Sequence, residues 1–348
     1  MTAQPVEPVL IVAWLVFAHL VADFVLQNDW IAINKANGTR TGWSALGVHG
    51  LHVALCLLPA VFAFGGLGLA YLVLVTLTHM AVDRWKVQAT RLMDARAQAE
   101  ARERLARGTL AGSGLGEAWT PWPGMLFLAD QALHLTIALV GWLVILEGSA
   151  LMPAFVDFVD AVIRSWDPAG VHAVVLTGVV LVSLFLVNTR GAYYFAMAMA
   201  SPRPLRRAPG EEEAGRPAPT DSSAPAGANT ANGGANAAPT GANTAPTGAD
   251  AAPTGANAAP TGANSVPTGA SARVAVTVMA MERLLIASLV MTGMAVAAML
   301  VVALDVAARW RQLGDRGFAE WYLVAMLGSV SVALASGLLA LAALASLG

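Results

Sequence analysis

The chain has one cysteine, Cys56, in 348 residues, and only 12% of its side chains are charged. A single thiol excludes an intrachain disulfide framework and any cysteine-based zinc site, so metal ligands must come from His, Asp and Glu. The thin charge, with 57% hydrophobic residues and a mean hydropathy of +0.62, excludes an ordinary soluble domain. No positive excess exists to draw nucleic acid, because the formal net charge is −2. Lys and Arg are also missing ahead of the first apolar run, and no small-residue cleavage site follows it. The first apolar segment is therefore expected to stay in the chain rather than leave as a signal peptide.

What is present is apolar sequence in helix-length runs. Stretches at about 8–27, 45–64, 66–83, 124–146, 170–200, 280–305 and 321–346 are each long enough to cross roughly 30 Å of hydrocarbon at about 1.5 Å per residue. Backbone in lipid must satisfy its own hydrogen bonds, and barrel strands would be about ten residues of alternating character, so the spans are helices. The expected fold is all-α, a polytopic transmembrane helix bundle of about seven spans. Lys35 and Arg40 follow the first span, seven basic residues from Arg84 to Arg107 follow the third, and Arg203, Arg206 and Arg207 follow the fifth. The positive-inside rule puts those loops in the cytoplasm and the N-terminus outside, as expected for a multi-pass protein of the inner membrane. Arg309, Arg311 and Arg316 conflict with this, since they fall between the sixth and seventh spans on the expected exterior.

Residues 201–272 change character, with Pro, Gly, Ala, Asn and Thr replacing the large apolar types. A seven-residue unit recurs there from Ala224, as in APTGANT, APTGADA and APTGANA. Without two large apolar positions per unit, and with proline in most units, the repeat cannot form a coiled-coil seam. It reads as a disordered cytoplasmic insert whose protein partner, if it is a binding tract, is unidentified. The organisation is then a four-helix membrane core at 1–146 with a cytoplasmic Arg-rich helix at 84–107, and an outer loop and fifth span at 147–200. The insert at 201–272 and a C-terminal two-span hairpin at 273–348 complete it. The 84–107 helix reads equally as solvated or as lying on anionic headgroups.

All six histidines lie in or at the ends of apolar runs, and five belong to the first four spans. AHLVAD places His19 and Asp23 four apart, THMAVD does the same for His79 and Asp83, ADQALH for Asp130 and His134, and VHGLH sets His49 and His52 three apart. Such spacings put both side chains on one helix face. The four pairs also fall at one depth, near the cytoplasmic ends of their antiparallel helices. Buried aspartates in lipid need partners, and a divalent cation supplies one. His19, His49, His52, His79, Asp130 and His134 are expected to ligate zinc, iron or manganese, in one site or in two about 3.5 to 4 Å apart. A carboxylate left free, Asp23 or Asp83, is the candidate proton acceptor. Gln27, Arg84, Lys86 and Gln131 surround the cluster as candidate contacts to a lipid-like substrate, although basic residues at that depth are also ordinary membrane anchors. The competing accounts are a hydrogen-bonded His/Asp lock without metal, a proton or metal-ion transporter, and a non-enzymatic scaffold in which membrane lipids are the main partners.

AHLVADFVLQNDW, VHGLH, THMAVDRWK and LADQALH, in that order, resemble a bacterial polytopic membrane family known as domain of unknown function 3307. The resemblance covers about residues 14–146, and MERLL, ARW and AEWYL in the C-terminal part look like a second block of the same family. The resemblance implies an integral inner-membrane protein and brings no established activity, substrate or cofactor; the tandem repeat departs from its pattern. The repeated HxxxD spacing is also similar to that of membrane-bound proteins described as metal-dependent hydrolases.

Overall fold

The computed structural model describes residues 8–35, 38–109, 115–164, 167–206 and 270–347. These residues form a helical bundle, and among them no strand occurs. α1 (Pro8–Leu20) passes into a π-helical turn (Val21–Leu26), and a short α2 (Asp29–Asn34) leads to α3 (Arg40–Phe64). α4 (Gly66–Ala106) is one unbroken helix of 41 residues, followed by α5 (Trp122–Gly141) with a second π-helical turn (Trp142–Leu146). α6 (Pro153–Ile163) is short. α7 (Pro168–Leu186) and α8 (Ala192–Ala200) are continuous through a third π-helical turn (Val187–Gly191). The C-terminal part holds α9 (Ala270–Met291), α10 (Ala295–Ala308) and α11 (Arg316–Ala345). Six helices among the described residues are long and apolar enough to cross a membrane, and the protein is a helical membrane protein.

Two contacts set the architecture of the first half. α3 and α4 turn about Gly65, whose φ of +59° suits glycine, and Gly68 then lies so close that an added Cβ would sit 2.0 Å from the carbonyl oxygen of Ala60. Tyr71, fully buried, donates from its hydroxyl to the carbonyl of Ala138 at 3.0 Å and ties α4 to α5. Leu15, Val53, Leu57, Val75 and Leu146 fill the space among α1, α3, α4 and α5. In the second half, Gly337 of α11 lets the helix approach the Ala287 carbonyl of α9, while Leu176, Ile286, Val290 and Ala333 make a separate apolar core.

The expected sixth span at 280–305 is not one helix. It breaks at Thr292–Met294, where Gly293 takes a φ of +79°, and α10 turns back along α9 so that Arg309 reaches Glu282 at 3.8 Å. That reversal answers the conflict over the basic loop. Arg309, Arg311 and Arg316 lie at the end where α9 begins, so the C-terminal segment is three helices, and α9 and α11 run parallel. α8 and α11 run antiparallel, with Phe195 against Gly328 and Asn188 bonded to Ser336, so the start of α11 shares an end with Arg203.

The expected linker also begins later than composition suggested. Residues 201–206 are extended and held: Arg203 exchanges backbone hydrogen bonds with Leu115 and Ala118 and bonds Asp94 at 2.6 Å, and Pro204 accepts from Gln98. Residues 270–272 belong to α9, and the heptapeptide repeat between lies outside the described residues. The basic part of α4 is accordingly not bare, because Ala97, Gln98 and Ala101 are buried under these segments.

Candidate metal centre

Four helices deliver seven of the eight expected His and Asp side chains to one buried cluster: His19 and Asp23 from α1 and its π-helical turn, His49 from α3, His79 and Asp83 from α4, and Asp130 and His134 from α5. None is more than 9% exposed. The buried stripe of α3 runs Ala45, His49, Val53 and Leu57, four residues apart. His52, three residues from His49, falls about 60° off that stripe and stays outside the cluster, half-buried. His172 begins α7 and is also half-buried outside it.

Three sets of donors lie close enough together to hold an ion: His19 with His79 and His134, Asp23 with His49 and His79, and Asp83 with Asp130 and His134; the second has ligand-like separations. Asp23 Oδ1, His49 Nε2 and His79 Nε2 form a triangle with sides of 3.4, 3.3 and 3.1 Å. A tetrahedral ion with bonds of about 2.0 to 2.1 Å has ligand separations of about 3.3 to 3.4 Å. Asp23 Oδ1 is buried with its two close imidazoles poorly aligned for hydrogen bonding, an arrangement that an ion between the three atoms would satisfy. Asp83 Oδ2 stands beside the triangle, 3.3 Å from His49 Nε2 and 3.9 Å from His79 Nε2. A π-helical turn, which holds one more residue per turn than an α-helix, carries Asp23 at this point, a feature frequent at functional sites.

The remaining members surround the triangle. Gln131 donates to Asp23 Oδ2 at 3.3 Å and Asp130 Oδ2 at 3.1 Å, and its carbonyl lies 3.1 Å from His19 Nε2. An amide oxygen only accepts, so His19 must carry its proton on Nε2. His134 stacks on His79 with ring centroids 3.7 Å apart, and its Nδ1 is 3.7 Å from Asp130.

Two lysines close the electrostatics. Lys35, just past α2, contacts both oxygens of Asp83 at 3.0 and 3.1 Å and Gln27 at 2.6 Å, and Lys86 contacts Asp130 at 2.7 Å. Asp83 and Asp130 each face a lysine, whereas Asp23 faces His19, His49 and His79 and, among the described residues, no lysine within 4 Å. That is the corner where a cation gains most. Burial pushes the Lys35 ammonium down, but Asp83 and then Asp23 outweigh it, and its proton is held above the ordinary lysine range. The stability Lys35 contributes is thus complete below the unfolded lysine value and is lost only as pH rises through the higher folded one. Of the expected substrate contacts, Gln131 and Lys86 belong to the cluster and Gln27 reaches it through Lys35. Arg84 does not; it lies over the Trp43 ring at 5.3 Å.

Lys86→Met leaves the Asp130 carboxylate, 1% exposed, without its counter-charge, and is expected to destabilise the protein by about 3 kcal/mol. Thermal melting in detergent measures this, with Lys86→Met/Asp130→Asn expected to recover most of the loss. Equal melting of Lys86→Met and wild type would show the pair to be inert.

Residues 11–161 match the family model described as protein of unknown function, DUF3307. These residues are a DUF3307 domain. The match holds every member of the cluster and ends before α7, so the C-terminal motifs that resembled a second block lie beyond it. No curated protein and no solved structure matches the chain.

Sequence reasoning placed Lys35, Lys86 and Gln131 around the cluster as headgroup contacts and did not foresee that they bond its aspartates. A signal existed for two of them. Lys86 is three residues from Asp83, on the same side of α4, and Gln131 adjoins Asp130. Lys35 offers none, because the short α2 brings it back over the helix ends.

Proposed function

We propose that the protein is a multi-pass inner-membrane metalloprotein, with its N-terminus outside, whose DUF3307 domain holds one divalent ion on Asp23, His49 and His79. Two imidazoles and a carboxylate are a donor set that zinc, iron or manganese accepts. The single observation that carries the reading is the triangle of donor atoms with ligand-like separations, one corner of it the buried Asp23 Oδ1. The reaction best suited to it is hydrolysis of a phosphoester or acyl bond in a lipid-like molecule drawn from the cytoplasmic leaflet. A bound ion of this kind lowers the pKa of water and polarises the oxygen of the scissile group. On this reading Asp23 is a ligand, and Asp83, 3.3 Å from His49, is the proton acceptor. Lys35 and Lys86 balance anionic oxygens at the mouth, Gln27 steers Lys35, and Gln131 holds Asp23 in place.

One observation favours a second reading, an ion that only locks α1, α3 and α4 together. The donors are almost wholly buried, and the cavity beside His19, His79 and His134 measures about 20 Å³, room for about one water. Asp83→Asn separates the two readings in protein purified in mild detergent. The hydrolase reading expects retained metal and at least a 100-fold loss of turnover on a panel of lipid phosphoesters and acyl esters. Full metal content with no wild-type turnover on any member of the panel would leave the lock.

A further inference from the structure

The third donor set, Asp83, Asp130 and His134, shares no side chain with the triangle of Asp23, His49 and His79. Each of its members brings one donor atom to within 4.8 Å of the others, and none is more than 3% exposed. Two of these side chains face each other in an arrangement that hydrogen bonding does not complete. His134 Nε2 lies 3.2 Å from the His79 carbonyl oxygen. A carbonyl only accepts, so Nε2 carries the proton and Nδ1 of the neutral ring presents a lone pair. That lone pair is 3.7 Å from Asp130 Oδ1. Both atoms are buried, and neither has a hydrogen-bond partner. The other Asp130 oxygen is engaged, since Oδ2 accepts from Lys86 at 2.7 Å and from Gln131 at 3.1 Å.

Two buried acceptors turned toward each other repel, and a native structure keeps them so where a proton or a metal cation stands between. The gap of 3.7 Å is too long for a hydrogen bond, and it is within reach of two metal bonds of about 2.0 to 2.2 Å each. No cavity is required, because an ion in that gap is bonded by the very atoms that shut it off from solvent. We propose that Asp83, Asp130 and His134 hold a second divalent ion beside the first, and that two carboxylates in the donor set make manganese the ion that suits it. Lys86 keeps its bond to Asp130 Oδ2 and Lys35 its contacts to Asp83, since a carboxylate oxygen accepts from more than one direction. Both ammonium groups stay as like charges beside this ion, whereas Asp23 has no lysine within 4 Å among the described residues, so the second site fills after the first. The ion also engages Asp83. One consequence rests on the hydrolase reading, in which Asp83 accepts the proton: there an excess of metal inhibits.

The probe is manganese alone, titrated into the metal-free full-length protein in detergent, with the free ion counted by its sharp paramagnetic resonance signal, which binding removes. The expected result is a first ion that survives desalting and a second, about tenfold or more weaker, that does not. Asp130→Asn and His134→Ala are expected to lose the second ion and keep the first, whose retention shows that the bundle is folded. Lys86→Met takes a positive charge from beside the site and is expected to tighten the second ion about tenfold, a gain that a purely structural role for Asp130 and His134 does not produce. A single ion per chain at every manganese concentration would overturn the proposal and leave a proton in the gap. So would a second ion undiminished in both Asp130→Asn and His134→Ala, loss of both ions together in those variants, or a second ion that Lys86→Met weakens. Failure of the first site is read separately, from Asp23→Asn, which is expected to lose the first ion and keep the second.

Discussion

His79→Ala is expected to weaken divalent-metal affinity by at least 100-fold and to lower the melting temperature of the metal-loaded protein to that of the metal-free form. The reasoning starts from the triangle. His79 Nε2 supplies one corner, and its ring stacks on His134, so the substitution removes a donor and unseats a neighbour together. Loss of a hydrogen-bond partner behind a ligand typically costs about 10- to 100-fold in affinity, and loss of the ligand itself costs more. Metal that binds the folded form alone stabilises it by about 2.7 kcal/mol at a hundredfold excess over Kd, so the loss appears as a downward shift in melting. Competition with a chromophoric chelator reads the affinity directly. His52→Ala is the control, since His52 shares the VHGLH motif but stands outside the cluster, and it is expected to bind metal as the wild type does. Equal losses in both variants would mean that general damage to the bundle, not ligation, sets the result.

Gly68→Ala is expected to cost about 3 kcal/mol or more, an unusually large effect for one methyl group. Its Cβ would lie 2.0 Å from the oxygen and 2.5 Å from the carbon of the Ala60 carbonyl, both backbone atoms that no side-chain rotation can move. The helices α3 and α4 would have to separate, and since they carry His49, His79 and Asp83, metal binding should weaken with the fold. Gly66→Ala, two residues away with nothing within 4 Å of its added Cβ, is expected to change little. Thermal melting of the two variants in one detergent provides the comparison. Matching melts would show that the hairpin is not held by this contact.

Much of this architecture was legible because it rests on two strong constraints. Helix-length apolar runs located the elements, and the i to i+4 His/Asp pairs fixed which faces turn inward. Antiparallel order and basic loops set their common depth, which is why His19, Asp23, His49, His79, Asp83, Asp130 and His134 meet as expected. What escaped has physical reasons. The break at Gly293 sits inside a run of small apolar residues that reads as continuous helix, and only a positive φ interrupts it. His52 satisfies the spacing rule but loses to Val53 for the buried stripe, a competition that depends on how α3 is rotated in the bundle. Lys35 and Lys86 look like ordinary interfacial anchors in the sequence, and only folding shows each set against a buried aspartate. Glu282 and Arg283 of MERLL read as ion-pair formers, but only Glu282 pairs, with Arg309, while Arg283 donates to Asn188 and Ser329.

The central claim is that a divalent ion belongs on Asp23, His49 and His79. Elemental mass spectrometry of the full-length protein, purified in mild detergent without chelator and reloaded with zinc, iron or manganese, tests it most directly. The account predicts close to one ion per chain, absent from His79→Ala and from Asp23→Asn and present in His52→Ala. A wild type that holds no ion after reloading, while folded and monodisperse, would contradict it and leave the seven side chains as a hydrogen-bonded lock.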